Sequence, residues 1–250
     1  SAVGWLNYRN LEQALLQRAR DRIETHSRQV ATDLEYYAAS ATGDVLGFRS
    51  AVALHGLIRA RRAGGIDPLD GVSEKAWRER LASRFAAELE AKPAYAMMRI
   101  IGLDDDGREL VRVDRAGPNE TVRIVPEENL LQRNDRSYFQ EATRLGPSQI
   151  YVSPLDLGRR NGQIEEIHRP TLRIAAPIFA EDGKPFGIFM INVDMRRAFD
   201  RARSSVGRGE NIYVVNRHGD YLIHPDRSQE FGWLLGNKTA EEDVAEAHVR

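Results

Sequence analysis

Residues 133–194 read RNDRSYFQEATRLGPSQIYVSPLDLGRRNGQIEEIHRPTLRIAAPIFAEDGKPFGIFMINVD, and this stretch decides the fold. A basic helix start with two aromatics (Arg136, Ser137, Tyr138, Phe139) opens a short helix over 132–145. A strand over 150–153 and a polar loop follow. Two apolar strands, 172–179 and 186–193, then meet at Glu181-Asp182-Gly183-Lys184, a tight-turn sequence. This order suits a small antiparallel sheet with a pocket between one sheet face and the loops that cross it. The stretch carries polar recognition groups and no set of residues that would perform catalysis, so it reads as a binding module.

The segments around it complete an α+β pattern. Residues 5–40 form one long helix in which Leu11, Leu15, Ile23, Val30, Leu34 and Tyr37 recur at helical spacings. It is longer than an ordinary globular helix and suits a stalk or spine. A second helix is expected over 45–62, ending at Gly64-Gly65, and a third from Ser73 through Leu89, closed by Pro93. Strands follow at 95–103 and 109–113, joined by Asp104-Asp105-Asp106-Gly107 as a hairpin turn, with a third strand at 121–125. After Asp194 a helix over 196–205 reaches Gly207-Arg208-Gly209, taken as a boundary. A further hairpin, 212–216 and 220–224, turns at Arg217-His218-Gly219 before a polar, acidic tail. One hairpin does not make a domain, so residues 211–250 either pack against the first domain or begin a second one, and the second reading is preferred.

Composition narrows the function classes. The chain has 250 residues, 29% of them charged, with a net charge of -1 and no polybasic block, which argues against nucleic acid as the main partner. It has no cysteine, which fits a periplasmic domain and also many cytosolic ones. The longest strongly apolar run, 186–193, is too short to span a bilayer. No Ser/His/Asp order, phosphate loop or HExxH helix is present, and Glu165-Glu166 on an extended loop point apart.

Candidate binding residues cluster on the sheet and its covering loops. Arg99, Arg112, Arg136, Arg169 and Arg173 present the rigid donor fork that matches carboxylate or phosphate, so two or three of them converging would hold an anionic metabolite. Each could equally pair with a neighbouring acid. Tyr138 and Tyr151 combine an apolar face with one hydroxyl, and Ser153, Asp156 and Arg173 could complete a polar lining. Asp194, at a strand end, could grip an amine or cap the helix that follows it. His218, Asp220, His224 and Asp226 invite a metal reading, but Pro225 disturbs the period-two register, so the segment reads as a strand ending in a turn and no metal or cofactor is expected.

Three stretches resemble the double Cache sensor domains, tandem PAS-like folds on the outer face of bacterial membrane receptors. They are YAMMRII at 95–101 with DGRELVRVD at 106–114, RSYF at 136–139 continuing through YVSPLDL at 151–157, and NRHGDYLIHPD at 216–226 with Phe231-Gly232. The likeness is greatest to the sensor regions of histidine kinases and diguanylate cyclases. The resemblance implies a stalk helix at 1–40, a membrane-distal lobe at 41–205 and the start of a membrane-proximal lobe at 210–250. It implies an extracytoplasmic, non-enzymatic, ligand-binding region tethered by transmembrane helices outside this chain and dimerising along the long helix. Amino-acid-binding relatives carry an Arg-x-Trp-Tyr helix; here Arg136 is followed by Tyr138-Phe139, and the Trp-Tyr order is lost. The rival readings are a structural or dimerisation domain without a ligand, and a metal-dependent hydrolase.

Overall fold

The computed structural model describes residues 2–117, 119–160, 163–165, 167–207 and 209–236. It is α+β, a long N-terminal helix with an antiparallel sheet, and divides into two compact units. One unit is Tyr37–Arg196; the other joins Ser1–Tyr36 to Arg197–Arg250. Helix α1 (Ala2–Phe48) contributes residues to both.

The larger unit is built on one antiparallel sheet. Its strands are β1 (Tyr95–Gly102), β2 (Glu109–Ala116), β3 (Thr121–Ile124), β4 (Tyr151–Val152), β8 (Pro170–Phe179) and β9 (Pro185–Asp194), in the order β3-β2-β1-β9-β8-β4. A short β5 (Asp156–Leu157) also pairs with β8, while β6 (Arg159–Arg160) and β7 (Gln163–Ile164) form a separate ribbon. The β8–β9 turn falls on the expected residues: Gly183 takes φ +78°, and the Asp182 carboxylate accepts from Lys184 N at 3.1 Å. β9 is central, with β1 and β8 on its two sides, and it reads as a nearly unbroken apolar run rather than an alternating one because both of its faces are covered.

Each sheet face has its own cover. On one face, Phe189 of β9 meets Phe48 at the end of α1 and Phe85 of α3 (Glu74–Ala91), with ring centroids 5.1 and 5.2 Å away. Helix α2 (Val52–Arg62) packs on α3 at Gly56, where an added Cβ would lie 2.3 Å from the Trp77 ring. Gly56→Ala therefore overpacks this crossing, and a loss of roughly 1–3 kcal/mol is expected in urea unfolding; an unchanged midpoint would show that the helices can part freely. The Ser73 hydroxyl accepts from Ala76 N at 3.2 Å, capping α3 where the sequence starts it. On the opposite face, Phe139 and Ala142 of α5 (Ser137–Ala142) pack on Ile101, Ala175, Ile188 and Met190.

Several boundaries differ from the sequence reading. Helix α1 does not end near residue 40: Ala41 and Val45 are fully buried, and it continues to Phe48, where Ser50 Oγ donates to Gly47 O at 3.0 Å. Asp104–Gly107 joins β1 to β2 as the expected hairpin connection, but its backbone forms one helical turn, α4, with Asp106 and Gly107 at positive φ. The helix expected over 132–145 is confined to Ser137–Ala142. The backbone before it is drawn to the start of β2 instead, Glu109 N donating to Leu131 O and Arg133 N to Gly107 O, each at 2.9 Å.

In the smaller unit, α6 (Arg196–Ser204) buries Phe199 beside Phe231, and β10 (Val214–Val215) pairs with β11 (Tyr221–Ile223) around Gly219 at φ +83°. Helix α7 (Gly232–Leu235) follows; the acidic tail beyond residue 236 lies outside the described residues.

Candidate ligand-binding face

Register decides which side chains meet on the α5 side of the sheet. Arg99 of β1 and Ala175 of β8 both pair with Met190 of β9, and Met97 and Arg173 both pair with Asn192. Paired residues of antiparallel strands point the same way, so Arg99, Met190, Asn192, Arg173 and Ala175 share one face. Tyr151 joins them by pairing with Ala175, and Tyr138 covers them from α5.

Arg99 is 4% exposed. Its Nη1 donates to Glu109 Oε1 at 2.9 Å, its guanidinium lies 4.9 Å from the Tyr138 ring centroid, and its Nε is buried without a partner. Glu109, fully buried, also takes Arg133 Nε at 2.9 Å and Leu131 N at 3.1 Å, with Arg112 Nη1 3.6 Å away. Its carboxyl is held below the usual range: burial works against the charge, but Arg99, Arg133 and Arg112 outweigh it. A β-bulge at Ile100/Ile101 pairs Ile101 with Glu109 instead of Leu110, and that single offset turns Glu109 toward Arg99.

Arg173 has a side chain 12% exposed, and its nearest carboxylate is Asp156, 3.4 Å from Nη1. Burial pulls its guanidinium below the usual value; Asp156 opposes the fall and Arg99 adds to it. Tyr151 is pushed up, first by burial and then by Glu141, against the influence of Arg173. Ser153 is engaged with the backbone, accepting from Arg173 N at 3.0 Å and donating to Pro154 O at 2.8 Å, so it fixes β4 against β8. Asn192 has a buried Oδ1 with no partner.

The structure thus brings Arg99, Tyr138, Tyr151, Asp156 and Arg173 together, with Ser153 opposite Arg173 on the adjacent strand segment. Two sequence candidates stand apart. Arg136 precedes α5 with a side chain 38% exposed and Nε 3.4 Å from Asp135. Asp194 is engaged by Arg196, accepting from its backbone N at 2.9 Å and ion-pairing with its guanidinium at 2.5 Å, while Arg169 Nε lies 3.6 Å away. The carboxylate that could have gripped an amine therefore caps α6. Glu109, Met190 and Asn192 were not singled out in the sequence; stepping back by twos from Asp194 would have found the last two.

Two grooves elsewhere in this unit carry ion-paired arginines. A groove of about 340 Å³ beside α2 carries Arg59 and Arg62, which bond Asp67 and Asp182. One of about 230 Å³ along α3 carries Arg78, bonded to Glu127. The His224 ring in the smaller unit bonds its own turn at Asp226, and Asp220 accepts from Asn216. Among the described residues no three His, Asp or Glu side chains converge as metal ligands would, and no helix is long and apolar enough to cross a membrane.

Residues 71–248 match the family model for the sensor domain of bacterial histidine kinases. The chain belongs to the bacterial histidine kinase sensor domain family. No curated protein matches this sensor domain. Among solved structures, it is similar to a domain of a sensory box/GGDEF family protein from Vibrio parahaemolyticus, with TM-score 0.66 and 21% identity over 87% of this chain and 74% of that one. The extracellular domain of the histidine kinase vpHK1S-Z8 gives TM-score 0.64 and 20% identity over 87% and 71%. The amino-acid chemoreceptor PctC of Pseudomonas aeruginosa PAO1, solved with GABA, gives 0.53 and 14% over 88% and 83%. These likenesses show that the sensor domain shares the fold of these domains.

Proposed function

We propose that this sensor domain is the extracytoplasmic, periplasmic part of a bacterial transmembrane receptor, and that it binds a small molecule on the α5 face of the larger unit. A histidine kinase is the output the family favours; a diguanylate cyclase is the other reading of the resemblance. Arg99, Tyr138, Tyr151 and Arg173 contact the ligand, Asp156 and Ser153 set Arg173, and Arg136 stands at the rim. Residues 210–250 begin a membrane-proximal lobe. A homodimer forms along α1, whose exposed Leu16 and Ile23, seven residues apart, offer a stripe to a second copy. The bound state is selected from a pre-existing equilibrium and biases α1, so the signal is a population shift.

The observation that carries this reading is the unfinished hydrogen bonding of one buried face: Arg99 Nε and Asn192 Oδ1 are both buried and unpartnered there. Buried polar groups are nearly always satisfied, and a ligand would supply what these two lack. A thermal-shift screen of small carboxylates, amines and polyols tests it. A ligand at a hundred times its Kd adds about 2.7 kcal/mol of stability, and Arg173→Gln should abolish that shift. A panel that moves nothing would favour the domain without a ligand.

A further inference from the structure

The charges on this face are unbalanced, and the imbalance selects among ligands. Arg173 has Asp156 as its nearest carboxylate, and Asp156 also has Arg159 Nε at 3.9 Å. Across β9, Arg99 depends on Glu109, which is divided among Arg99, Arg133 and Arg112. Arg112 turns to Asp114 at 2.6 Å, but Asp114 also holds Arg123 at 3.1 Å. Among the described residues, the guanidinium groups in these ion pairs outnumber the carboxylates Glu109, Asp114 and Asp156, and Arg99 and Arg173 sit within electrostatic reach of each other. A buried cation with a shared counter-ion is costly and is relieved by an added anion.

Two more groups refine the choice. Asp194, on the same face at the end of β9, is bound by Arg196 and so offers nothing to a ligand ammonium. Asn192 lies between Arg173 and Met97 in register, and its buried Oδ1 is an acceptor awaiting a donor. A neutral hydroxyl supplies that donor without bringing a positive charge beside two guanidinium groups.

We infer that the face takes a small hydroxycarboxylate without an ammonium group, its carboxylate on Arg173 and Arg99 and its hydroxyl on Asn192. This rests on the α5 face being the binding site. Tyr138 and Tyr151, partly buried against the apolar cluster that contains Met190, Ala175 and Ile101, flank the ligand's carbon skeleton.

Four probes with one skeleton test the charge logic: L-lactate, L-alanine, which replaces the hydroxyl by an ammonium, L-lactamide, which removes the carboxylate charge, and propionate, which lacks the hydroxyl. Isothermal titration of the whole chain should show L-lactate binding at least about tenfold more tightly than L-alanine or L-lactamide, a gap of one decade in Kd. Asn192→Leu should bring L-lactate down to the level of propionate, and Arg173→Gln should abolish binding. Because Arg173→Gln leaves Asp156 without its partner, the pair Arg173→Gln with Asp156→Asn is measured as well, and it too should not bind. L-alanine or L-lactamide binding as tightly as L-lactate, with that binding lost in Arg173→Gln, would overturn the ligand class and leave the site in place. L-lactate binding that survives both Arg173 variants would place the ligand elsewhere and overturn the site. No heat from L-lactate at millimolar concentration would overturn the ligand class, and the wider thermal-shift screen then decides the site independently.

Discussion

Glu109→Gln should destabilise the chain by about 3–5 kcal/mol, the cost of removing one partner from a buried ionic cluster. The substitution keeps the shape and can keep the hydrogen bonds to Arg99 and Arg133, both on Oε1 at 2.9 Å, but its amide nitrogen faces Leu131 N, which donates to Oε2 at 3.1 Å, so the loss combines the charge with that one bond. Urea unfolding followed by far-UV circular dichroism measures it, and Glu109→Asp, which restores the charge on a shorter arm, should recover part of the loss. The pH dependence has a definite sign. The folded carboxyl is held below its ordinary value by the three arginines, so its contribution is complete above the unfolded pKa of about 4.3 and is lost as pH falls through the folded one. The parent protein should weaken in that acid window, and Glu109→Gln should weaken less because its contribution is already gone. A Gln variant as stable as the parent at pH 7 would mean that the three guanidinium groups find other anions, and the case for a charge-hungry face would fall with it.

The fold was legible where local chemistry and tertiary structure agree. The β8–β9 hairpin is fixed by a gap between two apolar runs and by Gly183, whose φ of +78° suits the residue without a Cβ. Ser73 announces α3 because its hydroxyl serves a backbone donor within its own turn. The misreadings lie where a distant partner overrides a local preference. Gln132 and Arg133 have the polar, helix-compatible character of a first turn, but Leu131 O just before them and Arg133 N are claimed by Glu109 of β2 and by Gly107. The end of α1 is set by burial of Ala41 and Val45, which helical periodicity cannot distinguish from the start of a new helix.

The candidate site was legible in its residue types and less so in its arrangement. Strand alternation placed Arg99 and Arg173 on the sheet, and helix-start chemistry placed Tyr138 over it. Asp194 was readable as a cap because Met195 and Arg196 follow it directly. Glu109 was hidden by the bulge: in unbroken register Leu110 would face Arg99 and Glu109 would turn to the other side. Asn192 was hidden because an amide inside IFMINVD looks like a tolerated polar residue in a core strand. Its importance rests on an unpartnered oxygen, a property of three-dimensional surroundings rather than of sequence.

Phe189→Ala should cost about 3–5 kcal/mol, the usual range for emptying a buried aromatic site. Phe189 is 1% exposed and its ring lies among those of Phe48 and Phe85, themselves 5.4 Å apart, so removing it strips contacts from both neighbours. Phe189→Leu refills part of the volume and should cost less than half as much; equal losses would mean that the site collapses around either residue. The position matters for signalling as well as stability. Successive strand residues point to opposite faces, so Phe189 touches the end of α1 while Met190, its neighbour, faces Arg99 on the proposed ligand side. Asp44 of α1 adds a polar tie to the same sheet, accepting from Lys92 Nζ at 2.5 Å and from the Tyr95 hydroxyl. A small displacement of β9 on binding therefore has a direct mechanical route to α1 in the proposed receptor. In a membrane-bound protein with its output domain, Phe189→Leu should retain ligand affinity within a few-fold and lose most of the ligand-dependent change in output. Full ligand control in that variant would show that the coupling runs through another element.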